Sequence, residues 1–296
     1  MKIAFSVFFL CWFTAITVLG QVKGTVADQK TGAPVPYANI WVENQNLGTT
    51  SNEKGQFSLP GAGLEGKTLI VSCLGYERSR VLVTSQNLQV TLRATAISLK
   101  EVTVKKSTQR RKSILNKLDE DTQYSFGSNG TPWMVAQFFP YQTAYANTPF
   151  LDEVALVTLS NLKKAKFNLR LLAVNEKGEP GQDLLSTPLL VTAPKGIQQL
   201  HVNLSDYDLQ MPTQGFFVAF EWLVIPENRY EAVDEETGFS LGPDLVSYEP
   251  SIRTRRPSSQ THHGWIYNRG QWRSTDVTEA EAIRYALPHF QLTLSD

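Results

Sequence analysis

Cysteine is nearly absent: the 296 residues hold two, Cys11 and Cys73. Cys11 falls in an N-terminal apolar stretch that reads as a leader, and the one thiol left after it cannot form an internal disulfide. The fold must therefore rest on apolar cores. Cys73 sits inside the run LIVSCLGY and reads as a small buried hydrophobe. Histidine is also scarce, at four residues. No H-E-x-x-H occurs, and no His is followed three positions later by Glu, so zinc sites of the metalloprotease and carboxypeptidase kinds are excluded and no cofactor or metal is expected. Excess charge is missing too, with 28 Lys+Arg against 28 Asp+Glu. A nucleic-acid partner normally requires a clear basic surplus, so none is expected.

What is present begins with MKIAFSVFFLCWFTAITVLGQ. Lys2 is followed by an apolar or small-residue run from Ile3 to Leu19 and then by Gly20, the pattern of a secretory signal peptide over residues 1–20. Leu10 stands before Cys11, where a lipid-attachment signal needs a small residue. The expectation is a soluble exported product, in the periplasm or at the outer-membrane surface. Past Leu19 no apolar run approaches the roughly 20 residues that a membrane helix needs. Removing 20 of 296 residues leaves 276, a length suited to two domains.

Residues 21–104 alternate short β runs with turn residues: VKGTVAD, YANIWVE, GQFSL, KTLIVSCL, RSRVLVT, LQVTL and LKEVTV, about seven strands. Residues 105–125 are charged, and Ile114, Leu115 and Leu118 at helical spacing predict a linker with one short helix, capped at Ser107 or Thr108. From 126 to 296 longer, more aromatic strands return, among them WMVAQFFPY, LDEVALVTL, KFNLRLLAV, IQQLHVNL and GFFVAFEWLVI. The fold class is all-β: an N-terminal transthyretin-like seven-stranded sandwich and a C-terminal jelly-roll-like sandwich. TEAEAIRYAL, residues 278–287, has a helical look. Glu221 is the one charge in GFFVAFEWLVI and needs a partner if that strand is buried.

The first segment, VKGTVADQKTGAPVPYANIWVENQNLGTTSNEKGQFSL followed by LIVSCLGYE, closely resembles the carboxypeptidase regulatory-like domain from Val22 to about Leu92. The opening G-T-V-x-D, the T-G-x-P-V-P-x-A-x-I turn, the G-T-x-[ST]-[ND]-x-x-G-x-F element and the closing x-G-Y occur in order. The resemblance implies a transthyretin-like sandwich that is accessory and carries no catalytic residues, as found beside metallocarboxypeptidases and at the N-terminus of TonB-dependent receptors. SLKEVTVKK, residues 98–106, is similar to the segment that follows this domain in such receptors, where strand addition captures it. The remaining chain is too short for a plug and a large barrel, so a last strand of the first domain is the better reading. The second half weakly resembles jelly-roll domains of exported bacterial proteins, including carbohydrate-binding modules.

Motifs that suggest chemistry mostly yield to plainer accounts. SNEKG, residues 51–55, resembles a calcium loop, but it lacks the late carboxylate and lies between two strand runs, so it reads as a hairpin turn. GFSLG matches a nucleophile elbow at Ser240, yet no strand–elbow–helix pattern surrounds it. His262 and His263 are neighbours and point to opposite faces of a strand. The acidic run from Glu227 to Gly238 is a calcium candidate or a solvated loop. WIYNRGQW remains: Trp265, Tyr267 and Trp272 flank a turn, with Arg269 as a donor. Exposed, these residues make a stacking platform for sugar; packed, they are one hairpin's share of a core. The sequence thus supports a non-enzymatic binding or scaffolding protein of the cell envelope, with an envelope protein or a glycan as partner.

Overall fold

The computed structural model describes residues 21–95, 111–118, 124–233, 240, 242, 245–255, 264–275 and 287–296. The expected leader, the LKEVTV segment, much of the charged linker, His262, His263 and most of 278–287 lie outside the described residues.

The first sandwich is built from β1 (Gln21–Asp28), β2 (Asn39–Val42), β3 (Gly48–Thr50), β4 (Gln56–Pro60), β5 (Thr68–Ser72), β6 (Ser79–Leu82) and β7 (Asn87–Leu92). They form a three-stranded sheet, β4-β1-β7, and a four-stranded one, β3-β2-β5-β6. Side chains alternate across each strand, so Val22 and Val26, Phe57 and Leu59, Leu69 and Val71, and Leu88, Val90 and Leu92 fill one core between the sheets. The seven strands include β3, a three-residue piece that the sequence pattern left in a turn.

The second sandwich begins with β8 (Lys112–Leu115), β9 (Ser125–Ser128), β10 (Met134–Phe139), β11 (Phe150–Ser160), β12 (Ala165–Val174), β13 (Pro180–Asp183), β14 (Leu189–Ala193) and β15 (Gly196–Asn203). It continues through β16 (Phe216–Trp222), β17 (Arg229–Glu231), β18 (Val246–Arg255), β19 (Gly264–Asn268), β20 (Gln271–Ser274), β21 (Leu287–Pro288) and β22 (Phe290–Ser295). One sheet runs β13-β12-β16-β10-β19-β20 with β14 beside β12. The other runs β17-β18-β11-β22-β8, with β15, β21 and β9 attached. The core between them gathers Phe167, Leu169 and Leu171 from β12, Phe216, Val218, Phe220 and Trp222 from β16, and Phe290, Leu292 and Leu294 from β22. Trp133 stacks on Trp222 at 4.5 Å and Phe167 on Phe220 at 4.2 Å.

One expectation is overturned here. Lys112–Leu115, expected in a short linker helix, is strand β8, paired antiparallel with β22 through Leu115↔Leu292 and Ile114↔Thr293. Ile114 is exposed and Leu115 packs on the core. Four residues are too few for a helical period to outweigh a free sheet edge, which offers a full ladder of hydrogen bonds.

Candidate functional site in the cleft between the sandwiches

β16 is buried along its whole length, which alternation alone does not give. Phe216, Val218, Phe220 and Trp222 point into the second core, while Phe217, Ala219 and Glu221 point out. The outer face is covered at one end by Phe138, Trp265 and Trp272 and at the other by the first sandwich. β2 shows the complementary pattern. Ile40 and Val42 belong to the first core, and Asn39 and Trp41 are buried at 5% and 2% exposure on the opposite face.

The seam is polar at its centre. Glu221, 3% exposed, accepts hydrogen bonds from Asn39 Nδ2 at 2.7 Å, Asn168 Nδ2 at 2.9 Å and Arg170 Nη1 at 3.1 Å. Asn168 and Arg170 sit on the outward face of β12, and Arg170 also donates from Nε to Asp183 Oδ1 at 2.8 Å. Burial works against the Arg170 charge, but the Glu221 and Asp183 carboxylates more than offset it, and its pKa is held above the usual value. A buried guanidinium engaged by two carboxylates is fixed in direction. Asn39 brings the first sandwich into this network, and its Oδ1 accepts from Thr50 Oγ1 at 3.0 Å. Thr50 Oγ1 in turn accepts from Val224 N at 3.0 Å, and Thr50 N donates to Val224 O at 3.3 Å. Gly48 packs closely at the seam: an added Cβ would stand 2.8 Å from Ile40 O of its own sandwich and 3.0 Å from Pro132 Cδ across it.

The SNEKG turn takes part as well. Asn52 Oδ1 accepts from the amides of Lys54 and Gln56, as a tight reversal requires. This leaves Glu53 to pair with Lys166 and accept from Tyr37 OH at 3.0 Å. The bond from Lys166 holds the Glu53 carboxyl below its usual range, and the Lys166 ammonium is held above its own. A residue that looked like a calcium ligand is an interdomain ion-pair partner.

Beside the seam the sandwiches diverge and enclose a cleft of about 890 Å³. One wall is the LGYER segment after β5, with Cys73, Tyr76 and Arg78; the other carries Arg170, Asp183, Tyr267 and Trp272. Tyr76 is held against Ala94 by a β-bridge, and Thr95 N donates to Gly75 O at 2.9 Å. Gly75 has φ +80°, and a Cβ there would stand 3.1 Å from Ser186 O, so both conformation and close approach require glycine. The Cys73 thiol is pushed up to about 12, chiefly by burial and then by the Glu221 carboxylate. It stays protonated at neutral pH and is a poor nucleophile. Tyr267 is likewise raised, by burial above all, against the lowering effect of Arg78.

The WIYNRGQW hairpin forms as read, closing through Asn268↔Gln271 around Arg269 and Gly270, both at positive φ. Its rings do not make a flat exposed platform. Tyr267 is 6% exposed and tilted 56° from Trp272 at 5.1 Å. Trp265 is half-buried with its edge on Phe217 at 6.1 Å, and Arg269 is exposed at the tip. Tyr267 and Trp272 line the cleft, whereas Trp265 and Arg269 do not. Arg78 joins them from the first sandwich, donating to Tyr267 OH at 2.9 Å and to Gly270 O at 3.5 Å. Sequence reading missed Arg78, Tyr76, Arg170 and Asp183, although LGY marked the right turn and the lone arginine of FNLRLLAV marked the outer face of β12.

The other candidates lie elsewhere. Ser240 is exposed, pairs with Val233 in an isolated bridge, and donates to Glu231. Within the acidic run Glu231 pairs with Arg229. Among the described residues no group of three His, Cys, Asp or Glu is placed to hold a metal ion. No helix among them is long and apolar enough to cross a membrane.

Chains similar in the comparison with solved structures include those from the structures of infectious bursal disease virus Gx strain and Gt strain, each 12% identical, at TM-scores of 0.26 and 0.25. Each match covers 93% of this chain, which spans 59% of the length of those chains. No curated protein matches. The family comparison agrees with the resemblance carried by G-T-V-x-D, T-G-x-P-V-P and x-G-Y: residues 22–104, which take in the first sandwich from Val22 onward, match the model of the CarboxypepD_reg-like domain.

Proposed function

We propose that this is an exported, non-catalytic binding or scaffolding protein of the bacterial cell envelope, whose two sandwiches act as one body and recognise an envelope component in the cleft between them. The observation that carries this reading is the cleft itself. Its volume suits a ligand pocket, and it sits at a domain interface, where such pockets concentrate. Its walls are preorganised by the buried Arg170–Asp183–Glu221 network, so little ordering cost falls on binding. The CarboxypepD_reg-like domain is an accessory module of envelope proteins. The cleft's nucleophile candidate is a protonated thiol, and Ser240 does not line it; both favour binding over turnover.

The test uses the exported chain and Thr95→Trp. Thr95 is an exposed cleft-wall residue, so a Trp there fills the mouth and leaves the core untouched. Thermal unfolding is followed with envelope extract separated into protein and saccharide pools. At least one pool should stabilise the wild type and leave Thr95→Trp unmoved; a ligand at 100 times its Kd contributes about 2.7 kcal/mol. Equal shifts in both proteins, or none in the wild type, contradict the proposal.

A further inference from the structure

We infer that the cleft takes an apolar monocarboxylate, one carboxylate on a hydrophobic group, which accepts hydrogen bonds from the Arg78 guanidinium and the Tyr267 hydroxyl. The inference rests on the reading of the cleft as the binding site and names its ligand class.

Charge is the first argument. The charged residues that line the cleft are Glu77, Arg78, Arg170 and Asp183. Arg170 holds Asp183 and the buried Glu221, and Glu77 lies 3.9 Å from Arg93. Glu221 is further engaged by Asn39 and Asn168. Arg78 bonds only neutral oxygens, Tyr267 OH at 2.9 Å and Gly270 O at 3.5 Å, and among the described residues it has no carboxylate partner. A guanidinium presents five N–H groups, so three remain for a ligand. One uncommitted cation fits one negative charge. A phosphate monoester, at about −1.5 to −2, would exceed it beside Asp183 and Glu77.

The second argument is an unused proton. Arginine has no acceptor atom, so Tyr267 OH accepts from Arg78, and its own hydrogen must go to another group. Among the described residues none accepts it. Tyr267 is 6% exposed, and burial above all keeps its phenol protonated. A buried donor left without an acceptor is costly. Here it stands within hydrogen-bond reach of the one free cation of the cleft, on a residue of the cleft lining. Two adjacent donors call for a ligand that only accepts, and an ionised carboxylate offers two accepting oxygens that match an arginine fork.

The rest of the lining gives the remainder of the ligand. Leu74, Met134, Leu172, Leu185 and Trp272 border the cleft, and its other cation, Arg170, is already committed. A hydrophobic group beside the carboxylate fits this surface, whereas a second acid group would have no counter-charge. The C-terminus of a peptide and a free aliphatic acid share this chemistry.

Short peptides ending in Leu or Phe, each with a free and with an amidated C-terminus, are titrated into the exported chain by calorimetry. Octanoate and octanamide form the second arm, and a uronic-acid oligosaccharide serves as an acidic ligand without an apolar group. At least one free acid should bind, its amide at least about tenfold more weakly, and added salt should weaken the acid alone. The arm with the tighter acid identifies the source. Arg78→Gln should bring acid and amide within about twofold of each other, because amidation and the substitution remove the same contact. Tyr267→Phe keeps the ring and should weaken the acid about tenfold while its salt dependence persists. Each acid is compared with its amide on the same protein, so a loss of folding in a variant does not imitate the result. Equal binding of acids and amides to the wild type overturns the inference. So do an acid preference that survives Arg78→Gln, binding of the uronic-acid saccharide alone, and binding in no arm. If an envelope pool stabilises the wild type but not Thr95→Trp while none of these acids binds, the ligand class falls and the cleft reading stands. If the acids bind Thr95→Trp as they bind the wild type, the cleft reading falls with it.

Discussion

Asn39→Ala and Glu221→Gln, made singly and together, probe the lock between the sandwiches. Asn39 Nδ2 donates to a buried carboxylate, a bond of about 1.5–3 kcal/mol, and its loss also strips Thr50 Oγ1 of an acceptor at about 1 kcal/mol. Glu221→Gln removes the charge facing Arg170 and turns an amide NH₂ toward the Asn39 or Asn168 donor. Removing one partner of a buried ion pair costs about 3–5 kcal/mol. Because the two residues share one bond, the double variant should be less destabilised than the sum of the singles, by at least about 1 kcal/mol. Urea unfolding of the four proteins measures this. Additivity within about 0.5 kcal/mol would refute the claim that one network spans both sandwiches.

Glu53→Gln, at the exposed ion pair with Lys166, should leave the urea-unfolding midpoint close to that of the wild type, and a clear drop would show the turn to be a principal support. Gly48→Val drives a side chain against Ile40 O and Pro132. It should cost at least about 2 kcal/mol and expose Trp41 to acrylamide quenching, and a neutral effect would mean that the seam is loose. For Cys73 the sign is that a raised pKa keeps the thiol protonated until pH nears about 12. Alkylation at pH 8 should run about a thousandfold slower than for a free thiol and rise about tenfold per pH unit through pH 10. A rate at pH 8 within tenfold of free cysteine contradicts that environment.

Much of the fold is legible because burial imposes a period of two. WMVAQFFPY, KFNLRLLAV and GFFVAFEWLVI all become strands, and Glu221 signals its need for a partner before any partner is visible. The failures have physical causes. β18 hides because Pro250 stands in its middle; it is tolerated where the ladder with β9 is irregular between Tyr248 and Ile252. β3 is too short to show a period, and β8 is an edge strand whose apolar residues mimic a helix. The cleft is illegible for another reason. Arg170 and Asp183 are neighbours on the paired strands β12 and β13, but Trp272 joins them from β20 at the far edge of the same sheet and Arg78 from the first sandwich, and only the folded sheet and the docking of the two sandwiches bring all four together. The aromatic hairpin was visible as a hairpin, but which of its rings would face a ligand depended on the first sandwich.

Differential scanning calorimetry of the exported chain tests the central claim that the sandwiches are one body. One transition, with calorimetric and van't Hoff enthalpies in agreement and shifted as a whole by Asn39→Ala, is the predicted result. Two resolved transitions, of which Asn39→Ala moves only the one belonging to the first sandwich, would contradict it.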